Sequence, residues 1–230
     1  MEQLAPIVPD STPFQMEQKT TGIILRTRPL TETSLIVQWL TADHGRVATV
    51  ARGARRPKSP FRGKLDLCFE ADFTFHLSRR SELHTLREVA ILETHPVLRT
   101  DLTRLQQAAY AVALIEQTTE AQTPLPVFFS LLQGLLKFLD TNPPEPKLIL
   151  ALELKLLAEL GMQPDTSESA LTAGTREIVA HLSAADAEAL ARLRLSAAQV
   201  HELRQFLHGF MTFHLGRIPK GRSAALCDAG

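Results

Sequence analysis

The segment LDLCFEADFTFHL, Leu65 to Leu77, decides how the first half of the chain is read. Leu65, Leu67, Phe69, Ala71, Phe73, Phe75 and Leu77 fall on one side, and Asp66, Cys68, Glu70, Asp72, Thr74 and His76 on the other. A period of two is that of a strand with one face in a core and one in water. Upstream, TGIILRTR and SLIVQWLT are further β-rich runs, and Asp43-His44-Gly45 suits a hairpin turn leading into RVATVARGA. A fifth, less one-sided run covers about Thr85 to Thr94. Five such strands in so short a stretch predict a small closed or nearly closed sheet. Trp39, within the β-rich run SLIVQWLT, belongs in its core.

After His95-Pro96 the period becomes helical. DLTRLQQAAYAVALIEQ carries an apolar stripe, VFFSLLQGLLKFLD is bracketed by prolines, and KLILALELKLLAELG is apolar almost all round and ends on Gly161. MQPDTSESALTAGT reads as a polar loop. Ser183 is expected to open a helix with Asp186 in its first turn, and Ser196 to open the last long one, AAQVHELRQFLHGFMTFHL. Strands gathered first and helices afterwards make an α+β chain. The expected division is a disordered leader over 1–18, a β domain over 19–98 and an all-α domain over 99–230.

Hydrophobic residues make up 44% of the 230 and charged ones 22%, an ordinary balance for a folded protein. The two cysteines, Cys68 and Cys227, form no CxxC pair and suggest a reducing compartment. The first residues carry acids and prolines but no basic residue, unlike a secretory or transit peptide, and no apolar run reaches the ~20 residues of a membrane span.

The net charge is zero, yet the charge is unevenly placed: fourteen basic residues face eight acidic ones between 19 and 99, while the flanks are acidic. Most of that excess is VARGARRPKSPFRGKL, Val50 to Leu65, in which Arg52, Arg55, Arg56, Lys58, Arg62 and Lys64 have no carboxylate among them. Pro57 and Pro60 forbid a helix or a central strand there, so the block reads as a mobile loop between strands. Arginine forks grip phosphate oxygens in pairs. Phe61 is placed to stack on a base, and Arg46 shares a strand face with Arg52 and extends the charge onto the sheet. A solvated edge that keeps a sheet from aggregating is the plain alternative. Six cations without acids nearby cost more repulsion than that role requires, which favours a polyanion as ligand.

Other chemistries fit poorly. Gly63-Lys64 lacks the remaining positions of a phosphate-binding P-loop, and HELRQFLH has Gln205 where a zincin helix needs its second histidine. His201 and His208 share a helix face, and His76 and His84 fit the polar side of strands, as ordinary surface residues would. Asp66, Glu70 and Asp72 are the only candidates for a metal-dependent nuclease, and alternation explains them without a site. A groove on the last helix, formed by Arg204, Phe210, Met211 and Arg217, is the candidate surface for an acidic and hydrophobic peptide. An interaction scaffold with an acidic partner on the basic loop is the rival function.

Beyond these readings, GIILRTRPLTETSLIVQWLTADHGRVATVARGARRPKS, LDLCFEADFTF and LREVAILETHPVLRTDLTRLQQAAYAVALIE together resemble the bacterial RecO recombination mediators. LELKLLAELGMQPD and HLGRIPKGRS extend the likeness over nearly the whole chain past the leader. The resemblance implies an OB-type barrel joined to a helical domain and a non-catalytic protein of the bacterial cytoplasm and nucleoid. It also implies binding of single-stranded and duplex DNA, annealing of complementary strands, and partnership with RecR and the single-strand binding protein in loading RecA. Many relatives carry a four-cysteine zinc module where this chain has DTSESALTAGT, so neither zinc nor another cofactor is expected.

Overall fold

The computed structural model describes residues 16–167 and 169–227. Five strands, β1 (Glu17–Pro29), β2 (Leu35–Thr41), β3 (Arg46–Ala51), β4 (Glu70–His76) and β5 (Leu83–Glu93), close into a barrel in the order β1-β2-β3-β5-β4. β3 and β5 pair in parallel, and the other four pairs of these strands are antiparallel. Closure depends on the length of β1: its first half pairs with β4 from Glu17 to Ile23, and its second with β2 from Gly22 to Pro29. The register shifts between Ile24 and Arg26, where the strand bends from one partner to the other. This is the connectivity of a five-stranded OB-type barrel.

The barrel is filled by Ile24, Val37, Trp39, Val47, Phe61, Phe73, Phe75, Leu86 and Val89. Trp39 stacks on Phe73 at 4.0 Å and donates its indole N–H to Thr49 Oγ1 at 2.9 Å, so its one polar group is satisfied inside. Gly45 has φ of 65°, and a Cβ there would stand 1.9 Å from the Thr123 carbonyl oxygen. The β2–β3 turn therefore needs glycine both for its backbone and for the chain that crosses it.

The expected strand over 65–77 is shorter than the alternation suggests. It begins at Glu70, because Cys68 takes a left-handed φ of 63° and turns its side chain, with Leu67, towards the helices. Glu70 is consequently buried and accepts from Gln133 Nε2 at 2.7 Å. The polar face of β4 is thus covered at its start. The leader expected over 1–18 lies outside the described residues as far as residue 15, whereas Glu17 and Gln18 are the first residues of β1.

The helices are α1 (Leu102–Thr118), α2 (Pro126–Thr141), α3 (Pro146–Glu159), α4 (Ala173–Ala184), α5 (Ala187–Arg192), α6 (Ala197–Leu215) and α7 (Arg222–Ala225). A 3-10 turn over Pro96–Arg99 joins them to the barrel, and Asp101 caps α1 by accepting from the Thr103 and Arg104 amides. α3 is buried from Lys147 to Leu157 except for the half-buried Lys155, as its all-round apolar sequence requires, and only its last two residues, Ala158 and Glu159, are exposed. It closes with Gly161 at φ 70° while the Met162 amide bonds back to the Leu157 carbonyl, a Schellman cap. Ser196 opens α6 in a reciprocal capping box with Gln199. Ser183 does not open a helix. It lies in the last turn of α4, its hydroxyl bonded to the Val179 carbonyl, and Asp186 is the cap of α5.

One hydrophobic cluster joins Ile23, Leu25, Leu40 and Cys68 on the outside of the barrel to the cores of α1, α2 and α3. Within it, Glu153 of α3 accepts two hydrogen bonds from Arg222 and one from the Tyr110 hydroxyl at 2.7 Å. This buried pair ties α7 to the centre of the bundle. Among the described residues no helix is long and apolar enough to cross a membrane.

Candidate nucleic-acid interface

The basic block is not a slack loop. Between β3 and β4 the backbone makes a succession of tight turns, with amide-to-carbonyl bonds from Arg56 to Gly53, Ser59 to Arg56, Arg62 to Ser59 and Lys64 to Phe61. Pro57 and Pro60 fit such turns because their fixed φ needs no amide donor. Phe61 anchors them. It is 7% exposed within the barrel cluster and is therefore a plug for the open end of the barrel, not a base-stacking platform. With its one aromatic ring turned inward, the block shows its charges outward.

Arg52, Arg55, Arg56, Lys58 and Arg62 are exposed, and Lys64 is half-buried. Lys64 donates to the Val89 carbonyl at 3.0 Å, Arg55 to the Thr31 carbonyl at 3.3 Å and Arg62 to the Pro57 carbonyl at 3.3 Å. Backbone carbonyls position these cations without neutralising them. Among the described residues no carboxylate forms an ion pair with any of the six.

Arg46 does not simply continue this block. It stands at the other end of β3, half-buried, with Nη2 donating to the Thr119 carbonyl at 2.7 Å. There it joins Arg26 and Arg28 of β1, Gln38 of β2, Glu116 and Gln117 of α1, and Arg217, around a cleft of about 390 Å³. Arg26 is ion-paired with Glu116, and the Gln117 amide donates to the Arg217 carbonyl at 2.6 Å. Arg26 and Arg28 escaped the sequence reading. Being two apart on a strand they share a face, but only the fold shows that α1 passes beside it.

The groove expected on α6 is not one surface. Met211 is fully buried in the helical core, Arg217 lines the cleft just described, and Arg204 borders a separate depression with His208 and Lys220. Phe210 stacks obliquely on His214 at 4.2 Å.

The acidic candidates disperse as well. Asp66 pairs with Arg99 at 2.9 Å, Glu70 is engaged by Gln133, and Asp72 accepts from Thr21 at 2.6 Å. Among the described residues no three His, Cys, Asp or Glu side chains converge as metal ligands. His201 and His208 are exposed on α6. His84 is buried instead of facing water, stacked on Phe75 at 5.4 Å, with Nδ1 accepting from the Ser78 amide. Burial pushes its imidazole below the ordinary histidine value, which matches an acceptor nitrogen.

Comparison with known proteins divides the chain at the same place, between barrel and bundle. Residues 16–95 match the family described as Recombination protein O N terminal, and residues 99–175 match Recombination protein O C terminal. The chain belongs to the RecO family of DNA repair proteins. It is 30% identical over 211 residues to the DNA repair protein RecO of Bacillus pumilus, covering 87% of this chain and 80% of that one. The RecO of Anaeromyxobacter dehalogenans strain 2CP-C is 29% identical over 233 residues, with 86% and 92% covered. That of Symbiobacterium thermophilum is 37% identical over 145 residues, 62% of this chain and 56% of its own. These RecO matches run through barrel and bundle alike.

Proposed function

We propose that this RecO-family chain is a non-catalytic DNA-binding mediator that holds single-stranded and duplex DNA by their phosphates and promotes annealing of complementary strands. The observation that carries the reading is the basic block: Arg52, Arg55, Arg56, Lys58 and Arg62 exposed, fixed by turns, and met by no carboxylate among the described residues. Contacts to phosphate position a nucleic acid without reading its bases, so little sequence preference is expected. Annealing follows where cations screen two strands that would otherwise repel. Residues 19–98 hold the DNA in this reading. Residues 99–230 support the barrel and offer surface to the partners that the family likeness implies, a RecR-type protein and the single-strand binding protein, with recombinase loading as the outcome. A place at the bacterial nucleoid belongs to the same proposal.

The test is charge reversal. R55E/R56E is expected to weaken binding of labelled single-stranded and duplex oligonucleotides at least tenfold at low salt while leaving the thermal midpoint unchanged. Unaltered affinity would refute the role of the block. Binding of an acidic peptide in place of DNA would instead favour the scaffold reading. Cleavage of labelled DNA in magnesium or manganese would restore the nuclease.

A further inference from the structure

The cleft between the barrel and α1 gathers Arg26 and Arg28 from β1, Arg46 from β3 and Arg217 from beyond α6. Bringing four guanidinium groups from such distant parts of the chain to one depression costs repulsion, and among the described residues that line it Glu116 is the one carboxylate to relieve it. α1 and the residue after it hold three of them in place. Glu116 pairs with Arg26, the Thr119 carbonyl takes a hydrogen bond from Arg46, and Gln117 fixes the backbone of Arg217. Arg28 is exposed and opposite Ile36 in the sheet, with Gln38 beside Arg26 as a neutral donor. Anchored in this way, the Arg26 and Arg46 side chains lose little freedom when an anion arrives.

This site is separate from the basic block. Arg46 opens β3 and Arg52 follows its end, so at about 3.3 Å per residue the two regions lie roughly 20 Å apart. Between them β3 presents only Ala48 and Val50 on that face, with no charge to link the two. Phe213, four residues before Arg217, is 84% exposed with its ring edge-on to His214 at 5.0 Å. Cationic grooves that track phosphates and exposed aromatic rings on which bases stack are what single-stranded nucleic acid uses. The arginines line the cleft, and Phe213 stands outside its lining.

We infer that this cleft is a second phosphodiester site that holds one single strand while the turn block holds another. The inference rests on the DNA-binding reading above and adds to it the means of annealing: two strands are brought to one molecule on separate cationic surfaces. Glu116 tempers the cleft. It cancels one arginine in the absence of DNA and leaves Arg28, Arg46 and Arg217 to meet phosphate.

The experiment measures stoichiometry. Non-complementary single strands of about eight nucleotides, within the range one OB-type fold spans, are titrated at low salt and counted by fluorescence anisotropy and calorimetry. The wild type is expected to take two equivalents. R28A/R217A, which removes two exposed cations whose side chains make no hydrogen bond or ion pair among the described residues, is expected to take one, to keep its thermal midpoint, and to anneal complementary strands at least tenfold more slowly. F213A is expected to weaken the second equivalent severalfold and leave the first unchanged. A single equivalent on the wild type, or two on R28A/R217A, overturns the inference while leaving DNA binding by the basic block intact. Two equivalents on R28A/R217A together with lost binding of an oligo-glutamate peptide would reassign the cleft to an acidic protein segment. No binding of any strand by the wild type would instead sink the DNA-binding reading itself.

Discussion

Glu153 and Arg222 are both buried, and each is tolerable there only because of the other. Burial works against the charge of Arg222, but its bonds to Glu153 outweigh that and raise its pKa, while burial and the Glu153 charge push the Tyr110 phenol up. Removing one partner leaves an uncompensated charge, so R222M is expected to cost about 3–5 kcal/mol in urea unfolding. R222M/E153L should cost clearly less than that single change, and an additive double variant would show that the pair is not coupled. Cys68 supplies a second check at this scale. Burial pushes its thiol up to about 12, so it should resist alkylation near pH 8 until urea unfolds the chain; labelling of the native protein at Cys68 would contradict the packing. His84 is a third. Its folded-state pKa is depressed, so it contributes stability above the unfolded value of about 6.5 that is lost as pH falls through the lower folded value. H84Q should flatten the stability profile in that acidic window; a profile parallel to that of the wild type would contradict the assignment.

At the level of elements, local chemistry often spoke plainly and tertiary packing overruled it in identifiable places. Ser196 and Gln199 announce the start of α6, and the unbroken apolar character of α3 announces the centre of the bundle. Ser183 misleads because a serine before an acidic residue looks like a helix start, whereas Val179 offers it a carbonyl inside α4. The regular alternation from Leu65 conceals the turn at Cys68, since nothing local says that α1 and α2 will draw Leu67 and Cys68 off the barrel. Phe61 misleads for a similar reason. Surrounded by cations it reads as exposed, yet the barrel end needs an apolar plug. F61A is therefore expected to destabilise by about 3–5 kcal/mol, while F61L retains DNA affinity within twofold; a large loss of affinity in a stable F61L would restore the stacking role. Gly45 is bound by geometry as well. G45A should cost at least about 1–2 kcal/mol from the left-handed backbone alone, with the Thr123 clash adding to it.

On the scale of the whole molecule, a neutral chain keeps its positive excess in the segment that forms the barrel, fourteen basic residues against eight acidic ones between 19 and 99. The basic block was visible from composition, but its fixed shape was not, because turns between Gly53 and Lys64 are pinned by a residue whose burial depends on strands on both sides. The cleft was less visible still. Arg46 and Arg217 are far apart in sequence, and their meeting requires β3, α1 and α6 to be in place together. What remains decisive is whether the exposed cations neutralise phosphate. The most direct measurement is the affinity of the wild type for a single-stranded oligonucleotide as a function of potassium chloride. With about four phosphates neutralised, the logarithm of the association constant should fall against the logarithm of salt with a slope near −3, and more steeply on duplex. A slope near zero would contradict the account.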